Sequence, residues 1–203
     1  MDAAETEREV VQRVLSGETE KFRDIVAGYK GLVFHVVRSL VPNESDHEDL
    51  AQDIFIKVYR NLQGFRFRSG LATWISRIAY HTCLNYLRRW KAGEHLRRGI
   101  DARAQTEDER AAEPVAADSG GSLSPHVVLC VKEIKETVHT LIQELPPTQR
   151  LILTLHHLDG FGIPELSEMT GMPAGTIKSH LFRARARLRD KLLAKFRPED
   201  LIG

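Results

Sequence analysis

The sequence predicts an all-α protein in which two small helical domains are joined by a flexible acidic linker. Three observations carry this prediction. Apolar residues recur at intervals of three and four along the chain, and nowhere does the period-two alternation of a half-buried strand persist. One internal stretch, DARAQTEDERAAEPVAADSGGSLSPH at 101–126, sets Asp101, Glu107, Asp108, Glu109, Glu113 and Asp118 against only Arg103 and Arg110. It is rich in Ala, Gly, Ser and Pro, with almost no large apolar side chain to anchor it. Finally, 203 residues at 42% hydrophobic and 28% charged suffice for one or two ordinary cores, which excludes a disordered or fibrous chain. The expected organisation is a domain over 1–92, a linker over 93–128 and a domain over 129–203.

In the first domain, Leu15, Phe22, Ile25 and Val26 predict one helix, and Leu32, Val33, Val36, Val37 and Leu40 a second that stops at Pro42. Ser45 or Asp46 can cap a third, whose first turn carries carboxylates that favour the positive end of the helix dipole. Leu50, Ile54, Val58 and Leu62 repeat every fourth residue as its buried stripe, and Gly64 ends it. The fourth runs from about Leu71 to Trp90 and buries Leu71, Ile75, Ile78, Ala79 and Leu87.

In the second domain, Val131, Ile134, Val138, Leu141, Ile142 and Leu145 form an amphipathic helix that Pro146-Pro147 terminates, with Pro147 suited to the first turn of the next. Leu151, Ile152, Leu155 and Leu158 continue that next helix to Asp159-Gly160. Two more are expected, over about 163–170 and 174–196, joined by Gly171-Met172-Pro173. A short first helix, a glycine where the backbone reverses and a longer second helix are the parts of a helix-turn-helix.

The formal net charge of +1 conceals a segregation of charge. Residues 178–197 hold Lys178, Arg183, Arg185, Arg187, Arg189, Lys191, Lys195 and Arg197 against Asp190 alone, and the acidic linker cancels most of that excess. No apolar run approaches the roughly 18 residues of a membrane span, and the acidic, amphipathic N-terminus does not read as a signal peptide, so a cytoplasmic location without membrane insertion is expected. Cys83 and Cys130 are too few for a disulfide framework and are read as reduced, small apolar residues. His156-His157 and His180 have no acidic or Cys partner at ligand spacing, so no metal and no cofactor is expected. A Ser-His-Asp arrangement and a P-loop are missing, and Gly160-Phe161-Gly162 lacks the rest of a dinucleotide fingerprint, so no catalytic residues are assigned.

On the last helix Ile177, Leu181, Ala184, Leu188 and Leu192 step by three or four as the buried stripe. Lys178, Ser179, Phe182 and Arg183 fall off it near the helix N-terminus, the end that enters a major groove in proteins of this build. Phe182 is the sharpest clue, because a helix that already has a core face gains nothing by showing a phenylalanine to water. Arg185, Arg187 and Arg189 are placed for phosphate.

On the fourth helix Trp74, Arg77, His81, Asn85 and Arg88 share one face. An aromatic ring, cations and a side-chain amide are what unstacked bases and their backbone require. Ahead of them lies GFRFRSG, where two aromatics alternate with two arginines between glycines. Taken singly, Trp74 reads as a core residue and His81 as an ordinary polar-face histidine; taken together, the set points to single-stranded nucleic acid.

DHEDLAQDIFIKVYRNL followed by ATWISRIAYHTCLNYLRR resembles region 2 of the extracytoplasmic-function sigma factors of the sigma-70 family. LPPTQRLILTLHHLDGFGIPELSEMTGMPAGTIKSHLFRARARLR resembles their region 4. The resemblance implies a bacterial alternative sigma factor that binds core RNA polymerase, directs it to particular promoters and helps melt the minus-10 region. It implies docking on the beta-prime coiled coil through Asp49, Gln52, Asp53 and Phe55, residues that otherwise read as a solvated acidic turn. The minus-10 element would be held open, and a flipped base captured, by Phe65, Arg66, Trp74, Arg77, His81 and Asn85. The duplex minus-35 element would be read by Lys178, Ser179, Phe182 and Arg183, with Arg150 and Thr176 on the backbone. The acidic linker would run through the active-site and RNA-exit channels between the beta and beta-prime subunits, and an anti-sigma factor would mask both domains. Many relatives carry Asn where His81 stands, which bears on minus-10 preference. The competing reading is a one-component helix-turn-helix regulator, which needs a ligand pocket in its N-terminal domain.

Overall fold

In the computed structural model, residues 3–98 and 137–195 are described, and all their regular structure is helical. The first half contains α1 (Ala3–Leu15), α2 (Phe22–Leu40), α3 (His47–Asn61) and α4 (Leu71–Arg98), with single 3-10 turns before α2, before α3 and after α3. The second contains α5 (137–143), α6 (Pro147–His157), α7 (Ile163–Thr170) and α8 (Ala174–Lys195). Most of the predicted linker, with the start of the predicted 131–145 helix, lies outside the described residues.

The first two boundaries differ from the periodicity. The expected break between Val26 and Leu32 is absent, and α2 runs unbroken through Gly28 and Gly31. The chain turns at Ser16–Glu18 instead, where Gly17 takes a φ of 111° that few other residues tolerate, and Arg13 closes the turn on Glu18 at 2.7 Å. At the other end of this half α4 continues to Arg98, beyond Trp90 and into the range expected to be linker.

The core of the first half is built from Val33, Val36 and Val37 of α2, Ile54 and Val58 of α3 and Ile75 and Ala79 of α4, all fully buried. Ile54→Ala removes a side chain with no solvent contact and is expected to cost about 2–5 kcal/mol, measured as a lowered urea midpoint. In the second half Leu151, Ile152 and Leu155 of α6, Leu166 and Met169 of α7 and Ile177 and Ala184 of α8 do the same work. Leu158, expected on that stripe, is 67% exposed, because α6 ends at His157 and the chain reverses at Gly160, φ 73°. Leu188 and Leu192 are only half-buried, since α8 outruns the helices beneath it.

The two cores are continuous, α2 lying against α6 and α4 against α7. Polar contacts cross the seam: the His35 Nδ1 meets Asp159 at 2.9 Å, and the Thr73 hydroxyl donates to Glu165 at 3.4 Å.

Candidate nucleic-acid interface

The helix-turn-helix is set by local chemistry at both ends of α7. Pro164 stands in its first turn and the Glu165 carboxylate accepts the Gly162 N–H at 2.7 Å, satisfying a donor that the helix itself cannot. At its other end Gly171 adopts the left-handed conformation, φ 73°, and its N–H donates to the Ser167 carbonyl. The Ser167 hydroxyl then donates to the Met172 carbonyl at 2.5 Å, tying down the residue that follows the turn.

With Ile177, Leu181 and Ala184 buried, α8 leaves Thr176, Lys178, Ser179, Phe182 and Arg183 facing solvent together. Phe182 is 74% exposed, the largest fraction among the large hydrophobic residues described. The cations of α8 divide along its length. Lys178 and Arg183, near the start, have no described carboxylate partner. Farther along, Arg185 donates to His157 Nε2 at 3.1 Å, Arg187 to Gln149 at 3.2 Å, Arg189 pairs with Asp190 and Lys191 with Glu144. Burial and the neighbouring Arg185 push the His157 pKa below its ordinary value, which suits a neutral ring accepting that bond.

Arg150, expected on the duplex backbone, is bonded within its own chain. Its guanidinium turns inward and donates to Gln143 Oε1 at 2.9 Å, to the Leu145 carbonyl at 3.1 Å and to the Gln143 carbonyl. Half-buried there, with its pKa lowered by desolvation, it ties the α5–α6 turn together.

Along α4 the stripe is as the spacing predicts: Arg77, His81, Asn85 and Arg88 are exposed on one face, and Trp74 at its head is half-buried. The loop before α4 sets its residues at different depths. Arg66 is exposed, but Phe65 is 6% exposed and sits under two other rings, 4.6 Å from Phe67 and 5.1 Å from Trp74. Phe65 therefore supports the aromatic surface and does not present it. Phe67, which the sequence reading passed over, is the half-exposed ring. Its φ of 54° is unusual for a bulky side chain and costs on the order of 1–3 kcal/mol. The guanidinium of Arg8, from α1, lies 5.3 Å from its centroid. The alternation in GFRFRSG announces two aromatics and two cations, but only the fold decides which ring is shown.

A groove of about 600 Å³ runs between α2 and α3, lined by Phe22, Val26 and Phe34 on one side and Gln52, Phe55, Ile56 and Tyr59 on the other. Lys30 and Glu48 also line it, and the Phe22 and Tyr59 rings meet edge to face at 5.0 Å. Of the four acidic-helix residues singled out above, Gln52 and Phe55 line the groove, while Asp49 and Asp53 are exposed outside it. Ile56 and Tyr59, 41% and 44% exposed, were not foreseen.

Among the described residues no three His, Cys, Asp or Glu side chains gather as a metal site, and no described helix is long and apolar enough to cross a membrane. The buried Cys83 thiol has its pKa pushed up to about 12, chiefly by desolvation, so it is protonated and unreactive at neutral pH. Cys130 lies outside the described residues.

A helix-turn-helix domain and a helical bundle with an aromatic and basic face match two models of the sigma-70 family. Its region 2 model matches residues 25–92 and its region 4 model residues 135–188. The chain is 34% identical over 191 residues to the ECF RNA polymerase sigma-E factor of Escherichia coli (strain K12), covering 92% of this chain and 94% of that one. It is 33% identical over 189 residues to the RNA polymerase sigma-H factor of Pseudomonas aeruginosa, covering 93% and 94%. The chain belongs to the ECF RNA polymerase sigma factors, and its function is promoter-directed initiation of transcription. Two solved structures share the fold. Sigma factor RpoE of Bartonella quintana, bound to the anti-sigma factor NepR, has a TM-score of 0.60 at 22% identity, with 85% of this chain and 97% of that one covered. CnrH, in complex with the cytosolic domain of CnrY, has a TM-score of 0.59 at 20% identity, with 96% and 100% covered.

Proposed function

We propose that the work of initiation is divided among three surfaces of this chain. The α2–α3 groove docks core RNA polymerase, the loop and stripe of α4 hold the unpaired minus-10 strand, and the start of α8 reads the duplex minus-35 element. The observation that carries this reading is Phe182, 74% exposed on a helix whose apolar stripe is already buried. A base-reading helix has a use for that ring against a thymine methyl, and a solvated surface helix has none. Lys178, Ser179 and Arg183 join it at the bases, and Thr176 takes the backbone. Arg66, Trp74, Arg77, His81 and Asn85 are the minus-10 set, with Phe65 beneath them. Gln52 and Phe55 meet the polymerase inside the groove, and Asp49 and Asp53 flank it. The chain forms no catalytic centre of its own and works in the cytoplasm, where an anti-sigma factor is its inhibitor.

Size adds a condition. The two promoter elements lie about 25 base pairs apart, on the order of 85 Å of duplex. A compact body of 203 residues has a radius of gyration of about 17 Å, so its faces cannot reach both elements at once. Reading a promoter therefore requires α2 to part from α6 and α4 from α7, a separation that the part of the predicted linker beyond α4, residues 99–128 with a reach on the order of 100 Å, allows. Asp159→Ala removes the carboxylate that meets His35 across the seam. It is expected to increase the radius of gyration in X-ray scattering; an unchanged profile speaks against a seam held by this pair.

The test of function is direct. Mixed with core polymerase and genomic fragments, the chain is expected to yield transcripts with defined starts. If it binds duplex DNA but forms no complex with core polymerase, the one-component regulator is the better reading.

A further inference from the structure

We propose that His157 is a positioning residue that aims Arg185 at a phosphate on one wall of the groove that α8 enters, and that acid releases this arm of the minus-35 contact. The proposal rests on the reading of α8 as the duplex reader, and adds to it a residue from α6 and a dependence on pH.

Three positions along a helix turn a side chain by about 300°, so Arg185 stands about 60° off the direction of Phe182 and about 4.5 Å farther along the axis of α8. With Phe182 at the floor of a major groove, Arg185 faces a wall, where the phosphates are. Lys178, two turns earlier, shares its side of the helix. The cations beyond Arg183 differ in what holds them. Arg189 is neutralised by Asp190 and Lys191 by Glu144. Arg187 rests on Gln149, which is buried, so that contact points into the body. Among the described cations of α8, Arg185 alone is held by an exposed neutral group: its Nε and Nη2 both reach His157 Nε2, at 3.3 and 3.1 Å.

The chemistry of the pair fits a phosphate. A guanidinium fixed by a neutral acceptor keeps its whole charge and has less freedom to lose when it meets an anion. The bonds to His157 occupy Nε and one hydrogen of Nη2, which leaves the rest of the fork to donate to phosphate oxygens. The acceptor role requires a neutral ring with its proton on Nδ1. Burial, Arg185 and the neighbouring His156 all lower the His157 pKa, so the ring is neutral at pH 7 and the contact is intact. As the pH falls through that lowered value, Nε2 gains a proton, the acceptor disappears and two cations face each other. The other titratable groups of the packed elements are committed elsewhere. His156, its ring 4.9 Å from that of His157, donates through Nδ1 to the Phe161 carbonyl. Asp159 in the following turn meets His35, and Glu165 of α7 accepts the Gly162 N–H.

The experiment titrates the full chain onto a fluorescent minus-35 duplex and follows anisotropy at several salt concentrations. Arg185→Ala is expected to make the slope of log K against log salt shallower by about 0.9, the share of one phosphate contact. His157→Ala is expected to weaken binding roughly 2- to 10-fold, and to add nothing in the Arg185→Ala background. His157→Gln supplies an acceptor that does not titrate, and is expected to bind as the parent does at neutral pH. Between about pH 7.5 and about pH 5 the parent is expected to lose affinity roughly 2- to 10-fold relative to His157→Gln, every other titration being common to both proteins. If the parent instead gains affinity in acid relative to His157→Gln, the ring meets the phosphate itself and the positioning role is refuted. An equal loss from His157→Ala with and without Arg185 assigns the ring to the fold and refutes it too, as does an unchanged salt slope in Arg185→Ala. If Phe182→Ala weakens the duplex while the His157 variants match the parent at every pH, the arm fails and the reading of α8 stands. If Phe182→Ala also binds like the parent, that reading fails with it.

Discussion

Phe182→Ala is expected to weaken binding to the minus-35 duplex by roughly 5- to 150-fold, corresponding to about 1–3 kcal/mol, while leaving core polymerase binding and thermal stability unchanged. The separation of effects follows from burial. Leu181, the residue before it, is 4% exposed and holds α8 to its neighbours, whereas Phe182 contributes little to the folded core. Removing an exposed side chain away from the core shifts stability by no more than about 0.5 kcal/mol. Electrophoretic mobility shifts with the promoter duplex, alongside a melting curve, check both halves. A drop in the melting temperature together with lost DNA binding would assign the ring to the fold. The loss should also depend on sequence, strongest where a thymine methyl faces the ring. Lys178→Ala should act more evenly across duplexes if that lysine reaches phosphate, and unevenly if it reaches a guanine.

Ile56→Glu is expected to abolish core polymerase binding, lowering affinity by at least about 30-fold, with duplex affinity at the minus-35 element retained. Ile56 lies in the α2–α3 groove and is 41% exposed, so the free protein tolerates a carboxylate there. In the proposed complex the same carboxylate loses its water against an apolar contact surface, and burying a charge costs far more than a lost methyl contact. Pull-down of core polymerase and transcription from a cognate promoter measure the effect. Asp49→Asn provides the contrast: it lies outside the groove lining, and its effect should be a modest, salt-dependent loss. If Asp49→Asn is the more damaging of the two, the partner rests on the acidic face of α3 and not in the groove.

Much of the candidate interface was legible because most of each proposed DNA-facing set lies on a single helix. The period of 3.6 places Lys178, Ser179, Phe182 and Arg183 opposite Ile177, Leu181 and Ala184 without knowledge of what those three pack against. It likewise gathers Arg77, His81 and Asn85. The α7–α8 turn was equally plain, since Gly171 has few alternatives to the left-handed conformation it adopts. The limits of local reading appear at Arg150 and Phe65. Nothing near Arg150 shows that the carbonyls of Gln143 and Leu145 converge on its guanidinium. Phe65 and Phe67 stand in nearly identical contexts, yet one is buried and the other half-exposed, because Trp74 and α1 approach the loop from outside it.

What the sequence by itself determined is therefore what one helix can carry: the all-α class, the helix-turn-helix, the exposed face of α8, the basic stripe and the segregated charge behind a net of +1. Tertiary structure alone decided what two or more elements must make together. The α2–α3 groove, the Arg8–Phe67 contact, the inward turn of Arg150 and the seam where His35 meets Asp159 all join side chains from separate elements. The physical reason is that periodicity fixes the direction of a side chain relative to its own helix axis. Which surface it then meets depends on how the helices close-pack, and that is a property of every core residue at once.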